Sequence, residues 1–466
     1  FSLHSSPQNS LERLASLRSE ISEAGLSGFF VPHPDVYKSN SITPRDERLA
    51  WLTGFTGSAG FCIVLMKTAG IFVDSRYTVQ AKLQTDPVFE KLDWPNVNLE
   101  DWLKRHAYDG EKIGFDPWLH TLAEIDEMSQ ALYKSRIELV PCHNLIDRIW
   151  LDRPDPPKAP AFAYPVNYAG RTAAEKLAQI AKILLDHEEA ATIITLPENI
   201  AWLLNIRGKD VKHVPLVHCF GILYQDEKLD LFIEPEKALN LEDHLPEKVN
   251  ISEPCQFAAT ISKLPSPVRI DPKSFPFAAF SILQNSKIEV IKSPDLIALP
   301  KACKNPIEIK NARVAHGRDA AAMCEFLAWL EKQPPNYLTE IDVVIALERF
   351  RSENNELLDI SFDTISASGP NAALPHYRVT YETNRSISSP EILLVDSGGQ
   401  YLDGTTDVTR TIAIGEQSKE IREAFTRVLK GMIAISVMKF PRGTTGQEID
   451  SHARSALWTV GHDFGH

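Results

Sequence analysis

Residues 392–414, ILLVDSGGQYLDGTTDVTRTIAI, form the most informative stretch of this 466-residue sequence. The stretch opens with four apolar residues and closes with β-branched and apolar residues. This pattern predicts two buried strands joined by a polar, Gly-rich turn segment. Asp396 ends the first predicted strand and Asp407 begins the second. We therefore expect a hairpin that carries one carboxylate on each arm.

The two aspartates are candidate metal ligands. Burying a carboxylate costs free energy unless it is paired or bound to a cation, and two such charges about 4 Å apart repel by roughly 4 kcal/mol at an effective dielectric of 20. Divalent cations such as Mn2+, Mg2+ and Zn2+ turn that repulsion into attraction. The pattern thus predicts half of a two-metal hydrolase site. An ordinary hairpin explains the same residues, because Asp and Gly are common in turns.

Length and composition limit the class of protein. A chain of 466 residues is too long for one core and suggests about three domains. Its net charge of −13 disfavours nucleic acid as a partner, and its apolar runs are shorter than the roughly 18 residues that span a membrane. The start lacks the pattern of a secretory signal, and the six cysteines form no C-x-x-C pair. Free thiols in a reducing compartment, and a cytoplasmic location, are expected.

The N-terminal two thirds of the sequence contain an apparent duplication. A Pro-rich run, DRPDPPKAPAFAYP at 152–165, predicts a linker. The same order of helices and strands recurs after it, with corresponding aromatic residues at Trp51 and Trp202, Phe61 and Phe220, and Phe72 and Phe232. These similar offsets predict two copies of one α/β domain.

A second boundary lies within SPDLIALPKACKNP at 293–306. Asn305 is suited to cap a helix, Pro306 to begin it and Glu308 to complete a capping box. This helix is predicted to extend to about Glu331. The expected domains are therefore residues 1–150, 151–303 and 304–466, in a mixed α/β fold.

Several runs resemble one family. DSGGQYLDGTTDVTRT at 396–411 closely resembles the core of the aminopeptidase P family, the Xaa-Pro aminopeptidases of the creatinase, prolidase and methionine aminopeptidase superfamily. Matching runs along the chain are DERLAWLTGFTGSAG at 46–60, VDSRYTVQA at 73–81, IAWLLNIRGKDVKH at 200–213 and ARSALW at 453–458. The resemblance implies two creatinase-type N-terminal domains followed by a pita-bread catalytic domain.

The resemblance also implies metal ligands and a catalytic histidine. Asp396 would hold one metal ion and Asp407 would bridge two. His376, in GPNAALPHY, would lie beside the metals, contact the substrate and donate to the developing oxyanion or help move a proton. From the residues alone, a lone His beside Pro is more typical of a structural position. Arg378 and Val379 stand soon after His376, where the family often has Ala-Pro. The edge of the pocket is therefore expected to differ from that of the family.

Two further residues match substrate contacts of the family. Arg76 corresponds to a peptide-contacting arginine that an N-terminal domain contributes, in some members from the neighbouring subunit. A surface ion pair with Asp74 is the simpler interpretation of the same side chain. His466 corresponds to the first His of the family's HGTGHG run. GFTGSAG at 54–60 is Gly-rich but lacks the phosphate-binding G-x-x-x-x-G-K-[ST] pattern.

The implied activity is metal-dependent removal of the N-terminal residue from peptides with proline at position 2. The resemblance implies two divalent ions, with manganese favoured over zinc and cobalt, and a homodimer. In the family a His and two Glu ligands follow the position of His466. The 466 residues are therefore expected to lack peptidase activity alone and to expose a sheet edge and an apolar face.

Three alternatives remain open from the sequence. The first is a non-catalytic peptide-binding pseudopeptidase, in which the peptidase fold has lost its metals. The second is creatinase, which has a similar fold but needs no metal. The third is prolidase, which keeps the metals but has a single N-terminal domain. The pair of Asp396 and Asp407 argues against the first two, and the duplicated N-terminal region argues against the third.

Overall fold

A computed structural model describes residues 1–2, 5–39, 41–334 and 336–465. The first 150 residues form a six-stranded sheet with helices packed around it, here called the first repeat. Its strands are β1 (Gly28–Pro32), β2 (Phe61–Leu65), β3 (Ala69–Val73), β4 (Phe89–Asp93), β5 (Lys112–Phe115) and β6 (Glu138–Pro141). Its α-helices are α1 (Ser10–Glu23), α2 (Arg48–Thr53), α3 (Thr78–Gln84), α4 (Leu99–His106), α5 (Leu122–Leu132) and α6 (Leu145–Ile149).

A second six-stranded sheet follows, here called the second repeat. Its strands are β8 (Ala191–Ile194), β10 (Phe220–Tyr224), β11 (Leu229–Phe232), β12 (Val249–Ser252), β13 (Val268–Ile270) and β14 (Val290–Lys292), with β7 (Phe162–Ala163) and β9 (Ile206–Arg207) as a separate pair. Its helices are α7 (Val166–Ala169), α8 (Ala173–Asp186), α9 (Pro197–Leu204), α10 (Pro235–Ala238), α11 (Phe257–Ile261), α12 (Phe277–Asn285) and α13 (Ala298–Ala302).

The two repeats share one sheet topology. The first sheet has the order β4-β3-β2-β1-β5-β6 and the second has β12-β11-β10-β8-β13-β14, with the same parallel and antiparallel neighbours. The register matches as well, because Phe61 pairs with Phe72 in one sheet and Phe220 pairs with Phe232 in the other. This is the relation that the aromatic offsets in the sequence predict.

Equivalent segments of the two repeats join them to each other. Four backbone hydrogen bonds form two reciprocal pairs. In the first pair, Leu122 N–H donates to Phe275 O and Phe277 N–H donates to His120 O, both at 2.9 Å. In the second pair, Ala123 N–H donates to Pro272 O at 2.9 Å and Ala278 N–H donates to Pro117 O at 2.8 Å. Such reciprocity makes the interface isologous, like that of a twofold dimer. The first repeat is therefore held in a fixed position on the second.

The third region contains the predicted hairpin and two long helices. Its elements are α14 (Pro306–Glu331), α15 (Glu340–Ser352), β15 (Asp359–Ile360), β16 (Ile365–Ser368), β17 (Glu391–Ser397), β18 (Gly399–Tyr401), β19 (Gly404–Thr405), β20 (Val408–Ile414), α16 (Lys419–Val437) and α17 (Gly446–Trp458). The strands form two sheets, β16-β17-β20 and β15-β18-β19. The hairpin therefore crosses from one sheet into the other between β17 and β18.

Local sequence signals explain where the long helices begin. Asn305 Oδ1 accepts hydrogen bonds from the backbone N–H groups of Ile307 and Glu308, and Glu308 Oε2 accepts one from Asn305 N–H at 2.8 Å. The capping box predicted from the sequence is thus confirmed. In the described part of the chain, no helix is both long and apolar enough to cross a membrane.

One surface of the third region is apolar. Helix α16 leaves Phe425, Val428, Met432 and Val437 between 50% and 70% exposed. Trp458 at the end of α17 is 49% exposed. Helices α16 and α17 therefore present several large apolar side chains to solvent.

Candidate active site

Strand alternation directs Asp396 out of the core. Leu393 and Val395 are fully buried in a cluster that includes Phe326 of α14 and Val343 of α15. Because successive side chains of a strand point to opposite faces, Asp396 lies on the other face of β17, where its side chain is only partly buried.

The register of the hairpin places the two carboxylates side by side. Asp396 lies opposite Thr409 in the β17–β20 ladder, and the same register continues through β18 and β19. Gly398 is then the position opposite Asp407. Residues two apart on a strand share a face, so Asp396 and Asp407 are diagonal neighbours on one side of the hairpin.

A glycine allows the two strands to approach closely beside this pair. A Cβ atom at Gly398 would lie 1.9 Å from Thr406 O and 2.3 Å from Ser361 Oγ, which no side chain tolerates. Thr406 itself is fully buried, and its hydroxyl accepts a hydrogen bond from Gly399 N–H at 2.9 Å. This contact fixes the bend that brings Asp407 back towards Asp396.

The electrostatics of the pair favour a bound cation. Burial raises the pKa of Asp407, and the charge of Asp396 and a hydrogen bond with it raise that pKa further. Asp396 Oδ1 also accepts a hydrogen bond of 2.7 Å from the Thr409 hydroxyl, which orients it. Two adjacent carboxylates whose charges repel are oxygen donors that a divalent cation neutralises. The residues present therefore fit part of a metal site.

Further ligands do not converge here within the described residues. Among them, no group of three or more His, Cys, Asp or Glu side chains is arranged to hold one ion. Asp396 and Asp407 thus supply two adjacent carboxylates, and their role as metal ligands stays a prediction. His466, the predicted substrate contact, lies outside the described residues.

A buried glutamate anchors the loop that carries His376. Glu340, at the start of α15, is fully buried. Its carboxylate accepts hydrogen bonds from Ser368 N at 2.6 Å, Tyr377 Oη at 3.0 Å, Asn371 Nδ2 at 3.1 Å and Arg385 N at 3.3 Å. Four donors on both sides of His376 are thereby tied to one helix. Sequence reasoning missed Glu340, because a Glu in a first helical turn is an ordinary capping residue.

His376 contacts the first repeat of the same chain. Its Nδ1 lies 2.5 Å from the hydroxyl oxygen of Tyr77, and the two rings meet edge to face with centroids 5.3 Å apart. The neighbouring Arg76 donates to Asp74, with Nη2 and Oδ2 2.7 Å apart. Hydrogen bonds from Arg76 lower the pKa of Asp74, and the nearby His376 contributes to the same shift.

The predicted site residues therefore separate into two groups. The structure brings Asp396 and Asp407 together on one hairpin face. It also places His376 against the segment of the first repeat that contains Arg76. The guanidinium of Arg76 forms the ion pair with Asp74 that the simpler interpretation predicted, and it lies 5.2 Å from the centre of the Tyr77 ring. Arg76 is thus next to the residue that contacts His376.

A buried ion pair supports the tip of the hairpin. Arg351 of α15 and Asp319 of α14 are fully buried, with Nε and Oδ1 2.7 Å apart. Tyr401 at the end of β18 donates to the same Asp319 oxygen at 2.8 Å. Burial alone would raise the pKa of Asp319, but the hydrogen bonds and charge of Arg351 lower it. The hairpin is therefore anchored to both long helices, through residues that sequence patterns did not single out.

Comparison with known families defines the class of protein. Two family models, both described as the Creatinase/Prolidase N-terminal domain, match residues 13–149 and residues 152–308 respectively. The model of metallopeptidase family M24 matches residues 310–466. The chain is thus an M24 metallopeptidase with two creatinase-type N-terminal domains, as the repeated sheets and the aspartate pair indicate.

Individual relatives make the family assignment more specific. A probable Xaa-Pro aminopeptidase P of Coccidioides posadasii is 36% identical over 99% of this chain and 73% of that protein. Xaa-Pro aminopeptidase 2 of Rattus norvegicus is 35% identical over 98% of this chain and 70% of that protein. The chain belongs to the Xaa-Pro aminopeptidase P family, and it is a metallo-aminopeptidase. These relatives give no support to the pseudopeptidase alternative.

A solved structure agrees with this assignment. The X-prolyl aminopeptidase of Caenorhabditis elegans, described as a cytosolic enzyme with a di-nuclear active site, superimposes with a TM-score of 0.91. It is 32% identical, and the match covers 98% of this chain and 78% of that one. The arrangement of the two repeats against the third region is therefore shared with an enzyme of the same family.

Proposed function

We propose that this protein hydrolyses the peptide bond before proline and so releases the N-terminal residue of Xaa-Pro peptides. The observation that carries this proposal is the facing pair of Asp396 and Asp407 in a chain of the Xaa-Pro aminopeptidase P family. Proline has no amide N–H and a fixed backbone angle, so its peptides need a dedicated pocket.

Different residues of the chain have different roles in the proposed reaction. Two divalent ions, when bound, polarise the scissile carbonyl and lower the pKa of water. Asp396 and Asp407 provide carboxylate oxygens for them, with Asp396 held in orientation by Thr409. His376 donates a hydrogen bond to the carbonyl oxygen as that oxygen gains negative charge. Its loop is held by Glu340, so the imidazole does not have to be ordered when substrate binds.

Substrate binding is assigned to groups at the edge of the site. Arg76 steadies the peptide from the first repeat, supported by its position beside Tyr77 and His376. The ion pair with Asp74 leaves the Arg76 side chain 32% exposed, so part of the guanidinium is available to a ligand. His466 is assigned a second contact by its match to the family motif.

The metal, compartment and assembly are proposed on separate grounds. Manganese is favoured by the family resemblance, with zinc and cobalt as alternatives; carboxylate oxygens suit manganese but do not select it over zinc. A cytoplasmic location is supported by the six free cysteines and by the cytosolic C. elegans enzyme. The homodimer is proposed from the family resemblance, and sedimentation of the purified protein tests it.

Peptide hydrolysis tests the proposed activity. We expect the intact protein to release arginine from Arg-Pro-Pro, to lose this activity in EDTA and to regain it when manganese is added. Asp407→Asn is expected to be inactive with an unchanged melting temperature in its metal-free form, whereas Asp226→Asn in an exposed turn of the second repeat retains activity. Hydrolysis that persists in EDTA, or in the Asp407→Asn variant, would contradict the proposal.

A further inference from the structure

The Gly-rich run of the first repeat holds one aromatic side chain in place. Tyr77 is 1% exposed, and its ring meets that of Phe55 edge to face with centroids 5.6 Å apart. A Cβ atom at Gly57 would lie 2.2 Å from Phe55 Cζ and 2.7 Å from Tyr77 Cδ1. Glycine at this position therefore makes room for both rings. The Gly-rich run at 54–60, which does not match a nucleotide-binding loop, therefore packs around Tyr77.

The Tyr77 hydroxyl lies between two polar groups. Its oxygen is 2.6 Å from Ser58 Oγ and 2.5 Å from His376 Nδ1. A phenolic O–H is a stronger donor than a serine hydroxyl, and an unprotonated imidazole nitrogen is a good acceptor. The favoured arrangement is a chain in which Ser58 donates to Tyr77 and Tyr77 donates to His376.

We propose that Tyr77 is a positioning residue of the peptidase site, which donates to His376 Nδ1 and thereby holds the imidazole in the tautomer that carries its hydrogen on Nε2. The inference rests on the proposed function, in which His376 donates to the carbonyl oxygen of the scissile bond. The partner of one ring nitrogen decides which nitrogen carries the proton. The other tautomer would present a lone pair to a carbonyl oxygen that is becoming negative.

Tyr77 links the first repeat to the chemistry. It precedes α3, and Asp74 and Arg76, the charged groups nearest to it in sequence, are paired with each other. The neutral Tyr77 hydroxyl is the group of the first repeat that hydrogen-bonds His376 Nδ1. The first repeat, held on the second by reciprocal hydrogen bonds, would then contribute to the rate and not only to peptide binding.

Kinetics of Tyr77→Phe in the intact, metal-loaded protein provide the first test. This change keeps the ring and removes the hydroxyl. We expect kcat for Arg-Pro-Pro to fall by about 10- to 100-fold, the range for a lost orienting hydrogen bond, while KM stays within about twofold. Tyr224→Phe is the matched control, because Tyr224 donates to Asp230 within the second repeat and is expected to leave both constants unchanged.

Ser58→Ala is a second variant for the case in which Tyr77→Phe does not fold. Ser58 is exposed, so its truncation leaves the core intact. The Tyr77 hydroxyl would lose one partner, and kcat is expected to fall by a smaller factor. Values of kcat equal to that of the Tyr224→Phe control in both variants overturn the proposal.

Nitrogen NMR reads the tautomer without any turnover. The histidines of the EDTA-treated protein are labelled, and the signals of His376 are identified by their absence in His376→Gln. We expect His376 to carry its hydrogen on Nε2. Tyr77→Phe is expected to shift it towards a mixture of tautomers. Hydrogen on Nδ1 in the unsubstituted protein overturns the proposal. If Arg-Pro-Pro is not cleaved by the unsubstituted protein, the proposed function fails while this measurement still reports on Tyr77.

Discussion

Single hydrogen bonds set the orientation of the groups in this site. Asp396 is a ligand candidate whose Oδ1 is fixed by the Thr409 hydroxyl directly across the hairpin. Groups that hydrogen-bond a metal ligand restrict its rotation and so raise the affinity of the site. We therefore predict that Thr409 supports the proposed metal site, although it contributes no ligand.

The substitution Thr409→Val tests this dependence. Valine keeps the shape and the strand propensity but removes the donor. We expect metal affinity or kcat to fall by about 10- to 100-fold, measured by manganese titration of the intact protein. Thr411→Val is the control, because Thr411 lies two residues further along the same face of β20 and is also exposed. Equal manganese affinity in the two variants would remove the proposed role of Thr409.

Helix α15 organises the element that presents His376. The carboxylate of Glu340 accepts from four donors that come from β16, the following loop and the segment after His376. An ionised carboxylate accepts at both oxygens, which matches a site lined by donors. Glutamine would turn one of these acceptors into a donor that faces other donors.

Glu340→Gln is therefore expected to destabilise the loop. Leaving buried donors unpaired costs about 1–3 kcal/mol, and we expect a lower melting temperature together with a lower kcat. The control is Glu348→Gln on the same helix, where a single hydroxyl, that of Thr364, donates to the side chain. Thermal unfolding compares the melting temperatures of the two variants. Equal melting temperatures would mean that Glu340 does not anchor the loop.

Across the whole molecule, the second repeat and the third region meet at Asp363. This carboxylate accepts from Lys212 Nζ at 2.7 Å and lies 2.9 Å from Arg378 Nη2. His213 of the second repeat faces Asp359 with Nδ1 at 3.1 Å and Asp363 with Nε2 at 3.3 Å. Burial disfavours ionisation of Asp363, but these partners hold its pKa well below the usual range. Arg378, expected at the pocket edge, thus pairs with a carboxylate that also binds Lys212 and His213 of the second repeat.

Stability is expected to depend on pH through His213. Burial alone would lower the pKa of this ring, but hydrogen bonds to Asp363 and Asp359 outweigh burial and raise it. A raised pKa means that folding favours the protonated form. The stabilisation is therefore complete below the ordinary value of about 6.5 and is lost as the pH rises through the folded value.

His213→Gln should lower the melting temperature by roughly 2–4 °C near pH 6, and the difference from the unsubstituted protein should close towards pH 9. His187→Gln is the control, since the His187 ring bonds the Ile183 carbonyl of its own helix. A difference in melting temperature that stays constant from pH 6 to pH 9 would show that the charge of His213 does not stabilise the contact between the second repeat and the third region.

The sequence predicted the features that have local signals. The capping box at Asn305 and the aspartate pair on the hairpin follow from short runs of sequence. The shared register of the two repeats follows from one such local pattern that recurs further along the chain. Tyr77 and Glu340 were not predicted as parts of the site. Tyr77 and His376 are 299 residues apart, and only the packing of the repeats brings them together. Contacts made by distant segments leave no periodic pattern in one sequence.

The measurement that most directly tests this account is the metal content of the intact protein after dialysis against manganese. We expect about two ions per chain, the number in two-metal hydrolases. We also expect a clear loss of manganese in both Asp396→Asn and Asp407→Asn, with melting temperatures of the metal-free forms unchanged. Manganese content that is the same in these variants as in the unsubstituted protein would contradict the claim that the two aspartates hold the metal together.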